Sequence, residues 1–161
     1  MKQTKNDIFI SQAKYVVDIL ERFKIHNSKR APTPIVMGLK LRKEYCSGNV
    51  NLTLYKHMIG SLMYLIATRL DIMYAVSLVS RFMETPKETH CQATERILRY
   101  VNGTKQCGTL YTAISDFRLV GYTDSDWAGT VDDRKSTLGY VFHLGSGAIS
   151  WAFKKHPIVS L

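Results

Sequence analysis

No apolar run in this chain approaches the ~20 residues that a helical membrane span needs, which excludes a transmembrane helix. The start, MKQTKNDIFISQAKYVV, has early lysines. Asn6, Asp7, Ser11, Gln12 and Lys14 then stand where the apolar stretch of a secretory signal should run, so no cleavable signal is expected. Cysteine is scarce: Cys46, Cys91 and Cys107 lie far apart with no C-x-x-C, which argues against a disulfide framework and a zinc site. His26, His57, His90, His143 and His156 show no ligand spacing and read as ordinary, partly exposed residues. Carboxylates are few, 13 against 22 Lys and Arg, for a net charge of +9. What is present, 45% hydrophobic and 22% charged residues in a chain of 161, is the composition of one ordinary folded domain or two very small ones.

The charge is uneven. Residues 1–115 hold 17 Lys/Arg and 8 Asp/Glu, and residues 116–161 hold five of each, so the positive field belongs to the first part. A basic chain attracts polyanions, chiefly nucleic acid or an anionic membrane surface; the plainer reading is solvated lysines on helix faces.

Residues 7–11 read as a short strand. Tyr15, Val16, Ile19, Leu20 and Phe23 form one apolar stripe, predicting an amphipathic helix over 12–23. Residues 26–53 lack periodicity and read as a basic linker or irregular strand. A helix is expected over 54–68 and a second from Asp71, as a cap, to about Met83. A third starts at Thr85-Pro86 and closes at Gly103, with Ala93, Ile97, Leu98 and Val101 as its stripe. Met58, Met63, Met73 and Met83 read as core filling. Beyond Gly103 the period changes to two. Gly108–Tyr111 can be a strand, and 117–127, 138–144 and 148–153 predict a three-stranded antiparallel meander with a turn at Gly145-Ser146-Gly147. A sheet carrying Trp127, Tyr140, Phe142, Trp151 and Phe153 has two faces to cover, and no downstream helix is at hand, so an incomplete domain is expected.

Asp124 and Asp126 lie two apart on a strand, with Cα atoms roughly 7 Å apart and carboxylates on one face. Like charges so placed favour a shared hard cation such as Mg²⁺, or simply face water at a strand end.

The segments Ile8-Phe-Ile-Ser-Gln12, Ile59-Gly-Ser-Leu-Met-Tyr-Leu65, Asp71-Ile-Met-Tyr-Ala-Val76, Gly121-Tyr-Thr-Asp-Ser-Asp-Trp-Ala-Gly129, Asp132-Asp-Arg-Lys-Ser-Thr137, Gly139-Tyr-Val-Phe142 and Ile149-Ser-Trp151 resemble, in fixed order, the Pol polyprotein of copia-type LTR retrotransposons. The matching stretch is the tail of reverse transcriptase running into ribonuclease H. The resemblance implies hydrolysis of an RNA–DNA hybrid with two metal ions. Asp124 matches the first metal-binding aspartate; Asp126 is a weaker metal candidate. The family's next acidic ligand, a glutamate after the Pro157-Ile158-Val159 segment, and its later aspartates have no counterpart here, so no nuclease activity is expected from this chain alone. Thr130-Val-Asp-Asp133 is no polymerase Tyr-x-Asp-Asp turn and matches the ribonuclease H turn instead. Leu70, Cys91, Phe153 and His156 depart from the family's usual residues.

Arg96-Ile97-Leu98-Arg99 also resembles the RxLR string of secreted oomycete effectors. Here it lies mid-chain on an expected helix, without a signal peptide or a downstream Glu-Glu-Arg, and Ile97 and Leu98 explain themselves as core.

The expectation is an α+β chain. Residues 1–115 form a basic, helical thumb/connection-like region, and residues 116–161 a truncated ribonuclease-H-like three-stranded antiparallel sheet. The expected function is that of a catalytically inactive retrotransposon remnant, intracellular, with no cofactor of its own (Mg²⁺ in the intact family). It binds an RNA–DNA hybrid or template–primer weakly and no membrane. The rivals are a secreted RxLR-type effector that meets host proteins inside a host cell and suppresses defence, and a pseudogene product without function.

Overall fold

A computed structural model describes residues 1–43, 50–113, 117–125 and 135–159, with side chains as far as Lys155. The elements in chain order are β1 (Lys2–Gln3), β2 (Asp7–Ile10), α1 (Ala13–Arg22), α2 (Leu52–Leu65), a 3₁₀ turn (Leu70–Ile72), α3 (Met73–Ser80), α4 (Glu88–Gly103), β3 (Thr109–Thr112), β4 (Leu119–Ser125), β5 (Lys135–Leu144) and β6 (Gly147–Val159). The expected α+β class is the observed one. The chain divides into a helical unit, residues 12–107, and a sheet unit, residues 1–11 with 108–161. The boundary expected at 115/116 comes from the family resemblance; these geometric units cut the chain at 11/12 and 107/108.

In the helical unit, apolar periodicity decides what is inside. Val16, Ile19 and Leu20 of α1, Tyr55, Ile59 and Leu62 of α2, and Ile97, Leu98 and Val101 of α4 are all buried in one cluster. Burying a Leu or Ile side chain contributes roughly 1.5–3 kcal/mol, so this stripe-on-stripe contact dominates the unit's stability. Asn51 caps α2, its side-chain oxygen accepting from the Leu54 N–H at 2.9 Å. The phenol of Tyr55 donates to the Val79 carbonyl at 2.7 Å and ties α2 to α3; burial pushes its pKa up.

Three local expectations are corrected. Asp71 does not cap the second helix, which starts after a 3₁₀ turn with Ile72 at its cap and no side-chain cap bond. Its carboxylate is taken by a buried arginine, described below. The third helix begins at Glu88 rather than Thr85, because His90 Nδ1 accepts from the Lys87 N–H at 2.9 Å and sets the first turn there. Met63 is 47% exposed and no core filler, whereas Met58 is buried and Met83 packs against the core.

In the sheet unit, β2 pairs antiparallel with β1 on one side and β3 on the other. The second sheet is the expected meander, β4-β5-β6, antiparallel throughout. At Gly121 the Phe142 ring crosses the strand so closely that an added Cβ would stand 2.6 Å from it, so any other residue there would require the ring to shift. Tyr111 Oη donates to the Ala148 carbonyl at 2.6 Å, and Ser146 Oγ accepts from the Thr112 N–H at 2.8 Å, joining the two sheets.

Candidate nucleic-acid interface

The helical unit holds 15 Lys/Arg and 7 Asp/Glu, so +8 of the chain's +9 lies there. The charge is concentrated further. Residues 22–43 contain seven Lys/Arg and no Asp or Glu, and all seven basic residues are exposed. Pro32 and Pro34 hold residues 24–43 out of helix, and they run as an irregular strap antiparallel to α4. Asn102, 4% exposed near the end of α4, donates its side-chain amide to the carbonyls of Ile25, His26 and Ser28 at 3.2–3.4 Å. The aliphatic stem of Arg30 lies against Gly103. The Ala31 N–H reaches the Arg99 carbonyl at 3.4 Å. Arg96 Nη2 donates to Thr33 Oγ1 at 2.9 Å, and His90 Nε2 meets the Arg42 carbonyl at 3.0 Å near the start of α4. Ile35 and Leu41 pack against the core. Backbone without regular structure is thereby held on a 16-residue helix at five points along it, and its lysines and arginines are exposed.

The Arg96–Arg99 string is divided by helix periodicity, as its residues suggest. Ile97 and Leu98 are fully buried, while Arg96 and Arg99 are half-buried on the strap side. The Nε–H groups of both arginines are buried and, among the described residues, have no hydrogen-bond partner.

His90 departs from the expected partly exposed histidine. It is fully buried and stacked on Phe82 with centroids 3.8 Å apart. Because Nδ1 accepts from the Lys87 N–H, the ring proton sits on Nε2 and is donated to the Arg42 carbonyl.

Arg69 is the basic residue that no ligand can reach. Its side chain is 1% exposed, with Nε and Nη2 on the two Asp71 oxygens at 2.8 and 2.6 Å and further donors on the carbonyl and hydroxyl oxygens of Thr104. Tyr100 Oη donates to Asp71 at 2.9 Å. Burial alone would raise the Asp71 pKa, but the bonds and charge of Arg69 outweigh it and hold the carboxyl below its ordinary value. Burial likewise opposes the charge on Arg69, and Asp71 more than restores it.

Asp124 is exposed on β4, paired in register with Gly139. Asp126 and the Thr130–Asp133 turn lie outside the described residues. Among the described residues no three His, Cys, Asp or Glu side chains converge, so those residues alone do not make the two-metal centre that the resemblance implies. Burial pushes the Cys91 thiol up to about 11, which keeps it protonated at neutral pH. Among the described residues no helix is long and apolar enough to cross a membrane.

The residues missed by sequence reasoning are Asn102, Thr33, His90 and Arg69. Only Asn102 carries a signal in the sequence: a polar residue beside Val101 at the inner edge of the α4 stripe. Asn102→Ala is expected to leave three strap carbonyls without their donor. The expected results are destabilisation by about 1–3 kcal/mol and faster tryptic cleavage after Lys24, Lys29 and Arg30; a digest identical to that of the wild type would contradict the clamp.

No family model and no solved structure matches the chain. Known proteins do. The retrovirus-related Pol polyprotein from transposon TNT 1-94 of Nicotiana tabacum is 44% identical over 168 aligned residues, covering 99% of this chain and 12% of that protein. The Pol polyprotein from transposon RE1 of Arabidopsis thaliana is 40% identical, covering 96% of this chain and 10% of that protein. The secreted RxLR effector protein 161 of Plasmopara viticola is 44% identical over 108 residues, 66% of this chain and 76% of that protein. The chain thus spans about a tenth of the length of the Pol polyproteins it matches. Aligned to them over nearly its whole length, the chain belongs to the family of retrovirus-related Pol polyproteins of copia-type transposons.

Proposed function

We propose that this chain is a nucleic-acid-gripping segment of a copia-type Pol polyprotein. It holds an RNA–DNA hybrid or template–primer by its phosphates and, as a polypeptide of 161 residues, catalyses neither polymerisation nor hydrolysis. The observation that carries the reading is the strap: six exposed cations in residues 24–43 without an intervening carboxylate, following Arg22 at the end of α1 and pinned along a helix that adds Arg96 and Arg99. Loose lysines would lose much side-chain and backbone freedom on binding; a strap already fixed at five points loses less. Sequence-independent contact with phosphates needs no more than this.

The inactive reading rests on the described residues, where Asp124 is the carboxylate that the resemblance matches to the metal site and no three possible ligands converge; one carboxylate does not hold two divalent ions. The isolated chain needs no cofactor under this reading. The test pairs two assays on one labelled RNA–DNA hybrid. Saturable binding at low salt that is lost at high salt is expected, together with an intact RNA strand after incubation with Mg²⁺. Binding indifferent to salt defeats the grip, and cleavage that disappears in Asp124→Asn defeats the inactivity.

A second reading has one observation in its favour, the relative named a secreted RxLR effector. Under it the chain acts on host proteins within a host cell. The fold bears on how such a string could be read: with Ile97 and Leu98 fully buried, a receptor that reads all four residues must open α4. Appearance of the chain in culture medium, abolished by replacing Arg96 and Arg99, would favour this reading over the first.

A further inference from the structure

The strap carries an apolar feature that phosphate contacts leave unexplained. Ile35 and Leu41 pack against the core, and the residues between them stand out from it. Thr33 Oγ1 donates to the Ile35 carbonyl at 2.9 Å, and the Leu39 N–H closes a turn on the Val36 carbonyl at 3.2 Å. Gly38 holds this turn in the left-handed region at φ 73°, with open space where its Cβ would be. At the tip Met37 is 99% exposed, flanked by Val36 at 48% and Leu39 at 38%. The cations Lys29 and Arg30 precede the knuckle, and Lys40, Arg42 and Lys43 follow it.

We propose that the Val36–Leu39 turn is an apolar wedge that enters the minor groove of the duplex held by the strap and unstacks a base step there. The inference rests on the proposed grip and adds its mode. An unbranched, polarizable side chain on a braced turn between cations suits a slot that is apolar inside and anionic at its rims. The gap between two base pairs, opened from the minor groove, is such a slot, and Met, Leu and Pro wedges work in this way, at an unstacking cost that added phosphate contact offsets. A lipid surface shares the anionic rim. However, one methionine and two half-exposed neighbours offer far less apolar area than an interfacial helix buries, which favours the groove. Residues 24–43 contain no Phe, Tyr or Trp, so the knuckle itself offers no stacking platform of the kind that single-strand binders use, which favours a duplex.

The test uses the full chain and an RNA–DNA hybrid bearing 2-aminopurine in the DNA strand. Wild type is expected to bind with a rise in fluorescence as the probe unstacks. Met37→Ala should bind about five- to tenfold more weakly, without the rise, and with an unchanged salt slope and melting temperature, since the side chain touches nothing in the folded chain. Equal affinity and equal fluorescence in wild type and variant overturn the wedge and leave the phosphate grip standing. No binding by wild type at low salt removes the grip and the wedge with it. If Met37→Ala keeps its hybrid affinity but loses binding to phosphatidylserine vesicles, the knuckle is a membrane contact and the groove assignment is wrong.

Discussion

Arg69→Ala is expected to destabilise the helical unit by about 3–5 kcal/mol, enough to unfold a marginal domain. The size follows from what is left behind. The guanidinium joins three positions, Asp71 in the 3₁₀ turn before α3, Tyr100 through Asp71, and Thr104 just past α4. Removing it leaves the Thr104 oxygens without a donor and opens a cavity beneath the Tyr100 ring, over which the guanidinium carbon sits at 5.8 Å. Arg69→Met should cost less, because it fills the space and the Asp71 carboxylate, 37% exposed, can take up water. Asp71→Asn should cost nearly as much as the alanine change, because it leaves a buried guanidinium without a counter-charge. The pair also sets a pH dependence. The folded Asp71 pKa lies below the ordinary 3.8, so its contribution is complete above 3.8 and is lost as pH falls from there through the lower folded value. The stability gap between wild type and Asp71→Asn, read from urea midpoints, should close over that window. A gap that persists at the acid end, or an Arg69→Ala variant within about 1 kcal/mol of wild type, would contradict this account of the network.

The second large effect is on binding. If four phosphates are neutralised by the strap and its flanking arginines, affinity for a hybrid should fall roughly a hundredfold between 50 and 200 mM salt. Replacing Arg96 and Arg99 together with glutamine removes up to two of those contacts. The slope of log affinity against log salt should then become shallower by about 1.8. The change leaves Ile97 and Leu98 in place, so the core is kept and a loss of affinity reports on the ridge. Arg69, though basic, should contribute nothing to the slope, because its charge is spent on Asp71 inside the fold.

The contrast between Arg69 and Arg96 shows where reading from sequence stops. Helix α4 was open to it, because Ala93, Ile97, Leu98 and Val101 recur with the helical period and that period alone decides which side turns inward. The meander was open for the same reason at period two. The strap was not. Residues 26–43 have no period, and their position is set by Asn102, Arg96 and His90, which bind segments 48–77 residues away in the chain. Nothing local marks such a contact. Asp71 failed in another manner: an acid at a helix start is a good cap, but a buried guanidinium two residues earlier is a stronger partner. Met63 failed because a methionine on a half-apolar helix fits either side of the stripe. Of the site residues, Ile97 and Leu98 are buried where periodicity put them, whereas Arg96 and Arg99 are half-buried. Asp124 lies on the expected strand and is exposed, and Asp126 falls outside the described residues.

The central claim is that the pinned strap and α4 form one phosphate-binding ridge. Its most direct test is the salt slope of RNA–DNA hybrid affinity, measured side by side for the wild-type chain and the Arg96→Gln, Arg99→Gln variant. A steep wild-type slope that becomes measurably shallower in the variant is the expected result. Identical slopes, or a wild-type affinity that ignores salt, would contradict it.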